Sequence, residues 1–348
     1  MTGGSHRPPI RVACVGAGYF SRFHYDSWAR MEGAIAVASC NRDITRAEAT
    51  GLPAYNDLAT MLEDVKPDLL DIILPPVAHA DTIRTALAHG VTHMICQKPF
   101  CTDLDEARKI TAEAEAAGAV IVVHENFRFQ PWYRTIKSAL NEGLLGTLQQ
   151  VTFRLRPGDG QGPDAYLDRQ PYFQEMERFL IHETAVHWVD TFRYLLGNPT
   201  GVYADLRQVN PVIQGEDAGF VLFDHPNGVR ALFDGNRHLD HAADNLRRTM
   251  GEAWFEGTEG SLTLHGDGSV RLRHFGSAAT TPLLAADTWD GFGGDCVHAL
   301  QAHVISGLLG ADPLENTVRD YLTVIEIEQA IYASSETGRK ITLEQPAW

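Results

Sequence analysis

The sequence predicts an α/β chain, with an N-terminal doubly wound parallel sheet followed by an α+β domain built on an open, largely antiparallel sheet. Three observations carry this. Short apolar runs alternate with helical stretches from Ile10 to His124, the pattern of βαβ units. A glycine pair, Gly16 and Gly18, directly follows the first of those runs. After about Asn126 the apolar runs alternate in character and are joined by hairpin signals, as antiparallel strands with one wet face are. At 348 residues the chain exceeds what one hydrophobic core usually serves, so two domains are expected, 1–125 and 126–348.

Taken in order, the expected strands of the first domain are 11–15, 35–40, 69–74, 92–96 and 120–124. Between the last two, Thr102 and Asp105 read as a capping-box-like helix start. Leu104, Ala107, Ile110, Ala114 and Ala117 then give one apolar face, and Gly118 a stop. In the second domain, 220–223 and 229–233 flank Asn227-Gly228, and 262–264 and 270–272 flank Gly266-Asp267-Gly268, both hairpin signals. The segment 316–337 reads as a packing helix ending at Gly338, and 156–172, rich in Gly and Pro, as a long loop.

A formal charge of −16 argues against nucleic acid or an anionic membrane as partner, since both need clustered Lys and Arg. Five scattered cysteines fit a reducing compartment. The first nine residues lack the apolar core of a signal peptide, and no later stretch approaches a membrane span, so a cytoplasmic protein is expected.

Gly16-Ala17-Gly18-Tyr19-Phe20-Ser21 sits where a strand ends and a helix opens, the context in which glycines let a pyrophosphate approach backbone N–H groups and a helix dipole. Ser21 stands where glycine or alanine is usual, yet it is small enough for close packing. The expectation is a Rossmann-type cofactor site for NAD or NADP, the alternative being a glycine-rich turn that is only a turn. At the tip of the second strand, Asn41 can bond the ribose 2′-OH without repelling a 2′-phosphate, and Arg42 can pair with that phosphate or lie over the adenine, with NAD slightly favoured. Pro75, His79, Gln97 and Asn126 complete the candidate cofactor contacts.

Three further blocks carry a family resemblance. His93-Met94-Ile95-Cys96-Gln97-Lys98-Pro99 resembles the strand-end Glu-Lys-Pro motif of the Gfo/Idh/MocA (glucose–fructose oxidoreductase / inositol dehydrogenase) family. Glu183 to Asp190 resembles its Asp-x-x-x-His-x-x-Asp helix, and Glu328 to Ser334 its closing helix. Gln97 stands where glutamate is usual and Glu183 where aspartate is. Gly18 to Tyr25 with Cys96 to Pro99 resembles the apiose dehydrogenase branch. The resemblance implies a Rossmann domain, an α+β domain, a nicotinamide lying between them, a cis peptide before Pro99, and homodimers or homotetramers packed through the open sheet.

Hydride transfer from an alcohol carbon needs a base for the hydroxyl proton and a donor to steady the oxygen. His187 is the candidate base and Lys98 the candidate donor. On a helix Glu183, His187 and Asp190 share one face, with Glu183 placed to bond a second substrate hydroxyl or adjust Lys98, and Asp190 to orient the imidazole. Arg128, Arg156 and Tyr166 are candidate substrate contacts; Arg178, His182 and Trp289 are weaker ones. No metal is expected, because His182 and His187 are five apart and do not share a helical face, while His238 and His241 read as solvated loop residues. The expected function is an NAD(P)-dependent dehydrogenase of a sugar or polyol. The alternatives are a hydrolase or epimerase using tightly held NAD, and a cofactor-sensing regulator.

Overall fold

The computed structural model describes residues 8–344; the N-terminal residues read for a signal peptide lie, up to residue 7, outside them. Two compact units emerge. One takes the chain up to Glu125 together with Val297–Leu322, the other Asn126–Cys296 together with the chain from Thr323. Val297–Leu322, which the sequence reading put in 126–348, therefore clusters with the first unit.

In the first unit the β-branched and apolar runs form β1 (Ile10–Val15), β2 (Ala34–Cys40), a short β3 (Ala54–Tyr55), β4 (Leu69–Ile72), β5 (His93–Gln97) and β6 (Val120–His124). They pair in parallel in the order β3-β2-β1-β4-β5-β6. The helices between them are α1 (Ser21–Ala29), α2 (Ile44–Glu48), α3 (Leu58–Val65), α4 (His79–Ala88) and α5 (Leu104–Ala116). Val12, Ala13, Leu69, Leu70, Ile72 and Ile95 are wholly buried, as a sheet covered on both faces requires. Chain order reverses between β1 and β4, the switch point where such sheets bind ligands. The start of α5 differs from expectation by one residue. Asp103, not Thr102, caps the helix by accepting from the Glu106 N–H, and Glu106 reaches back to the N–H and hydroxyl of Thr102.

The second unit begins with α6 (Pro131–Asn141) and β7 (Leu148–Leu155), continues through α7 (Val186–Leu196), and then runs through β8 (Gly201–Arg207), β9 (Ala218–Asp224) and β10 (Arg230–Asn236). Next come β11 (Gly251–Gly257), β12 (Gly260–Leu264), β13 (Val270–His274) and β14 (Thr280–Leu284). After α8 (Cys296–Leu308) and α9 (Val318–Thr337), β15 (Ile341–Thr342) closes the edge of a sheet ordered β14-β13-β12-β11-β7-β10-β9-β8-β15. The sheet is mixed, since β7 and β10 run parallel while the other pairs are antiparallel. Both expected hairpins form, and Asn227 (φ 63°) and Gly228 (φ 83°) adopt the left-handed backbone that joins β9 to β10.

Alternation along these strands sorts the side chains. Val151, Phe153, Leu155, Val221, Phe223, Phe233 and Phe255 fill the buried face, where Trp188 of α7 stacks on Phe153 at 4.2 Å. The opposite face presents Tyr203, Leu222, Leu232, Thr152 and Trp254 in one cross-strand row, with Tyr203 41% and Leu222 37% exposed. Residues 156–170 form the expected irregular loop, whose Ala165 and Tyr166 pack with Phe173, Phe179 and Ile213 in a small core. Among the described residues no helix is long and apolar enough to cross a membrane.

Candidate active site

The glycine turn after β1 is built to be approached. Gly16 adopts φ +110°, and a Cβ there would lie 2.1 Å from the Ile73 carbonyl oxygen just past β4, so only glycine lets the two strand ends meet. A Cβ at Gly18 would meet nothing within 4 Å. The following helix α1 has no side-chain cap and no acidic residue in its first turn, so its leading N–H groups and dipole face that open space. Ser21 is buried, and its hydroxyl returns to the Gly18 carbonyl at 2.7 Å, which closes the turn where a third glycine would leave room. Phe20 stands at the N-cap, and exposed Tyr19 carries the Arg22 guanidinium 4.3 Å over its ring. These features fit a dinucleotide pyrophosphate.

At the tip of β2 the Asn41 Oδ1 accepts the Asp43 N–H, and Asp43 caps α2 through Thr45. Those Thr45 hydrogen bonds hold the Asp43 carboxyl below its usual range, so the acid nearest the tip is committed to the helix. Arg42 and Pro75 are exposed.

His79 does not lie open to a cofactor. It is wholly buried, with Nδ1 2.9 Å from the Phe100 carbonyl and Nε2 2.8 Å from the Leu74 carbonyl, and burial holds its pKa down. It braces the ends of two strand-following loops. Gln97 is likewise buried, and its Oε1 accepts the Lys98 N–H at 3.2 Å. Lys98 is half-buried and precedes the cis peptide to Pro99 that the resemblance implies.

In the second unit the stretch before α7 is not α-helical. Leu180–Ala185 form a π-helical turn with i→i+5 spacing, which alters the angle between Glu183 and His187 from the expected α-helical register. Glu216 holds this turn at its start, its Oε1 accepting from the N–H groups of Phe179 and Ile181 and from the Tyr332 hydroxyl. Arg237, from just beyond β10, donates to the Thr184 hydroxyl at 2.6 Å and to Asp159 at 2.9 Å. Burial pushes the Asp159 carboxyl up, but Arg237 and Arg169 outweigh it and hold it below its usual range. Glu183 and His182 are half-buried, while His187 is buried and lies flat against Phe127, centroids 3.9 Å apart and planes within 5°. Tyr172 is a neighbour sequence reasoning missed; its surroundings and then the Glu183 charge push its hydroxyl up to about 12.

Several candidate substrate contacts are committed elsewhere. Arg128 makes a bidentate pair with wholly buried Asp190, at 2.8 and 2.6 Å, and Arg193 stands 3.8 Å from the same carboxylate. Arg156 is spent on the carbonyls of Leu155 and Asp234 and on the Asp234 carboxylate. Tyr166 is buried in the loop's own core and bonds Arg237 and Asp159. A tyrosine in a Gly- and Pro-rich loop reads as a binding residue only while the loop's partners are unknown. His182 pairs with Glu328 at 2.7 Å, exposed Arg178 lies over the Tyr332 ring, and Trp289 meets Trp132 edge-on. His238 and His241 are tied to Asp217 and to the Arg156 carbonyl rather than solvated. Asn126 is buried with its Nδ2 lacking a hydrogen-bond partner, so it can still donate to a ligand. Glu216, Arg237 and Asp159 left no local signal in the sequence, because each acts on a residue 35–78 positions away.

Residues 10–125 match the family described as "Oxidoreductase family, NAD-binding Rossmann fold", and residues 133–263 match "GFO/IDH/MocA C-terminal domain". A protein of Paraburkholderia graminis named D-apiose dehydrogenase is 32% identical, covering 96% of this chain and 90% of that protein. One of Rhizobium rhizogenes with the same name is 30% identical, covering 96% and 97%. The crystal structure of an oxidoreductase from Agrobacterium radiobacter in complex with NAD+, L-tartaric acid and magnesium superimposes with a TM-score of 0.86 at 27% identity, over 96% of this chain and 98% of that one.

Proposed function

Because the chain belongs to the GFO/IDH/MocA oxidoreductase family, we propose that it is an NAD-dependent dehydrogenase of an uncharged sugar, an aldose of the apiose type ahead of a polyol. The observation that carries the reading is the pairing of an open glycine turn under an uncapped helix with near full-length likeness to two D-apiose dehydrogenases. Bound NAD supplies the hydride acceptor. His187 takes the proton of the reacting hydroxyl, Lys98 donates a hydrogen bond to that oxygen as charge develops on it, and Glu183 accepts from a neighbouring hydroxyl. Asn41 reads the adenosine ribose, and Asn126 offers its amide to ribose or substrate.

An uncharged substrate is supported by where the arginines go. Arg128, Arg156 and Arg237 are each buried and each matched to a carboxylate, Asp190, Asp234 and Asp159 respectively. A sugar acid or phosphate is best held by a guanidinium that is not already paired. Five unpaired, buried thiols support a reducing, cytoplasmic setting.

The row of exposed Tyr203 and Leu222 with half-buried Leu232 and Trp254 is the face we assign to a second copy of the chain. Sedimentation as a monomer at micromolar concentration would remove that partner.

The test of the activity is a panel of aldoses, polyols and sugar acids followed by nicotinamide absorbance with NAD and NADP in parallel. Net NADH formation with a neutral aldose is the expected result. Turnover without net nicotinamide change, or preference for an acid, would overturn the reading.

A further inference from the structure

Behind Lys98 lies a chain of buried polar groups that the proposed chemistry does not use. Asp71 of β4 is wholly buried, and its Oδ2 accepts from the Trp28 indole N–H at 2.7 Å and lies 2.8 Å from His24 Nδ1. His24, also wholly buried, places Nε2 2.8 Å from Gln97 Nε2. The same amide nitrogen is 3.3 Å from His124 Nδ1, and Gln97 Oε1 faces the Lys98 N–H.

Donor and acceptor counting fixes the protons. A backbone N–H can only donate, so the Gln97 oxygen must face Lys98 and its NH2 must face both imidazoles. Hence His24 Nε2 and His124 Nδ1 carry lone pairs. His24 then holds its proton on Nδ1 and gives it to Asp71. The Gln301 amide nitrogen of α8, 3.2 Å from both His24 Nδ1 and Asp71 Oδ2, donates to the carboxylate, since the imidazole nitrogen already bears a proton. The other titratable neighbours are Cys14 of β1, Cys96 of β5 and Tyr25 of α1. Burial above all pushes the three of them well up, and the Asp71 charge adds to it, so they stay neutral.

We propose that His24 and Gln97 are positioning residues for Lys98, and that they work only while His24 is neutral. A proton arriving on His24 Nε2 would set two donors against each other at the present 2.8 Å separation. The Gln97 amide must then turn over to offer its oxygen to the imidazolium, and the Lys98 N–H loses its acceptor. Proton uptake at a buried imidazole is thereby passed to the main chain of Lys98 without any contact between the two residues' side chains. Its effect on rate rests on the reading of Lys98 as the donor to substrate; the linkage itself does not.

The test uses the full chain labelled with 15N-histidine and 15N-lysine. Long-range 1H–15N spectra are expected to show His24 as the Nδ1–H tautomer at neutral pH, and on acidification the Lys98 amide resonance should move with the midpoint of His24. In Gln97→Glu the new carboxylate can accept from both the imidazolium and Lys98. His24 should then carry both protons at neutral pH, and the Lys98 amide should cease to follow it. In turnover, the acid limb of kcat should lie at the His24 midpoint in the natural protein. In Gln97→Glu the adjacent carboxylate raises the His24 midpoint, so the limb should cease to follow His24 and move to lower pH, where the new carboxylate itself takes up a proton, with KM for NAD little changed. His24 found as the Nε2–H tautomer, a Lys98 amide indifferent to His24, or an acid limb unmoved by the substitution would each overturn the proposal. The spectra need no substrate, so a protein that oxidises no sugar would sink the dehydrogenase reading alone. Should Gln97→Glu not fold, the natural protein's spectra still decide.

Discussion

The two units bury polarity in opposite ways. The first sets one carboxylate, Asp71, among the Trp28 indole, the His24 imidazole and the Gln301 amide, and keeps its glycine turn and helix terminus clear. The second buries charge against charge, with Arg128 on Asp190, Arg156 on Asp234 and Arg237 on Asp159. Neutral networks can hand protons on and rearrange, whereas closed ion pairs hold shape and resist any third charge. The first unit is thus arranged to receive a ligand. The second is a frame that carries Glu183 on a π-helical turn clamped by Glu216 and Arg237, and His187 in the first turn of α7 that follows it.

The largest effect should come from breaking that frame. Removing one partner of a buried ion pair leaves the other charge uncompensated, so Asp190→Ala should cost about 3–5 kcal/mol of stability, measured by urea unfolding. The double variant Arg128→Met/Asp190→Leu should recover most of the loss. A cost below about 1 kcal/mol for the single variant would mean that Arg128 is well solvated without its partner, and the contrast between the units would fail.

Next in size are the residues assigned to proton transfer. Lys98→Ala and His187→Ala should each lower kcat roughly 10²-fold, equivalent to about 2.7 kcal/mol, while NAD affinity and the unfolding midpoint change little. If both act on one step, the double variant should lose far less than the product of the two losses. Near-normal turnover from either single variant would strike that residue from the mechanism. A large stability loss in His187→Ala would instead make the imidazole part of the frame, through its stack on Phe127.

What the sequence made legible follows the same division. The glycine turn, the parallel strands and both hairpins rest on neighbouring residues or on a period of two, so composition and spacing suffice to find them. The cap of α5 was misplaced by a single residue because Thr102 and Asp103 are both good capping residues and only geometry chooses between them. The fates of Arg128, Arg156 and Tyr166 could not be read, since Asp190, Asp234 and Arg237, which bind them, lie 62, 78 and 71 positions away. An arginine or tyrosine with an unknown partner looks the same in sequence whether it meets a ligand or a buried carboxylate. The π-helical turn was hidden for another reason, being imposed from outside by Glu216 and Arg237 on a stretch whose own residues read as ordinary helix.

The smallest effect expected is at the tip of β2, and it probes the open unit rather than the frame. Asn41 is anchored twice, its N–H donating to the Tyr55 carbonyl at 3.0 Å and its Oδ1 accepting the Asp43 N–H at 3.0 Å. Asn41→Asp keeps the shape and that acceptor while adding a charge, so the backbone should stay in place and only the electrostatics change. A 2′-phosphate nearby would then be repelled by on the order of 1 kcal/mol through solvent. The ratio of kcat/KM for NAD over NADP should rise roughly fivefold, whereas Asn41→Ala, which loses the acceptor for Asp43, should weaken both cofactors together. If Asn41→Asp leaves the ratio unmoved, the ribose is read elsewhere and exposed Arg42 is the next group to test. If it weakens both cofactors equally, the tip supports the loop without reading the nucleotide, and the first unit is less open at the ribose end than at its glycine turn.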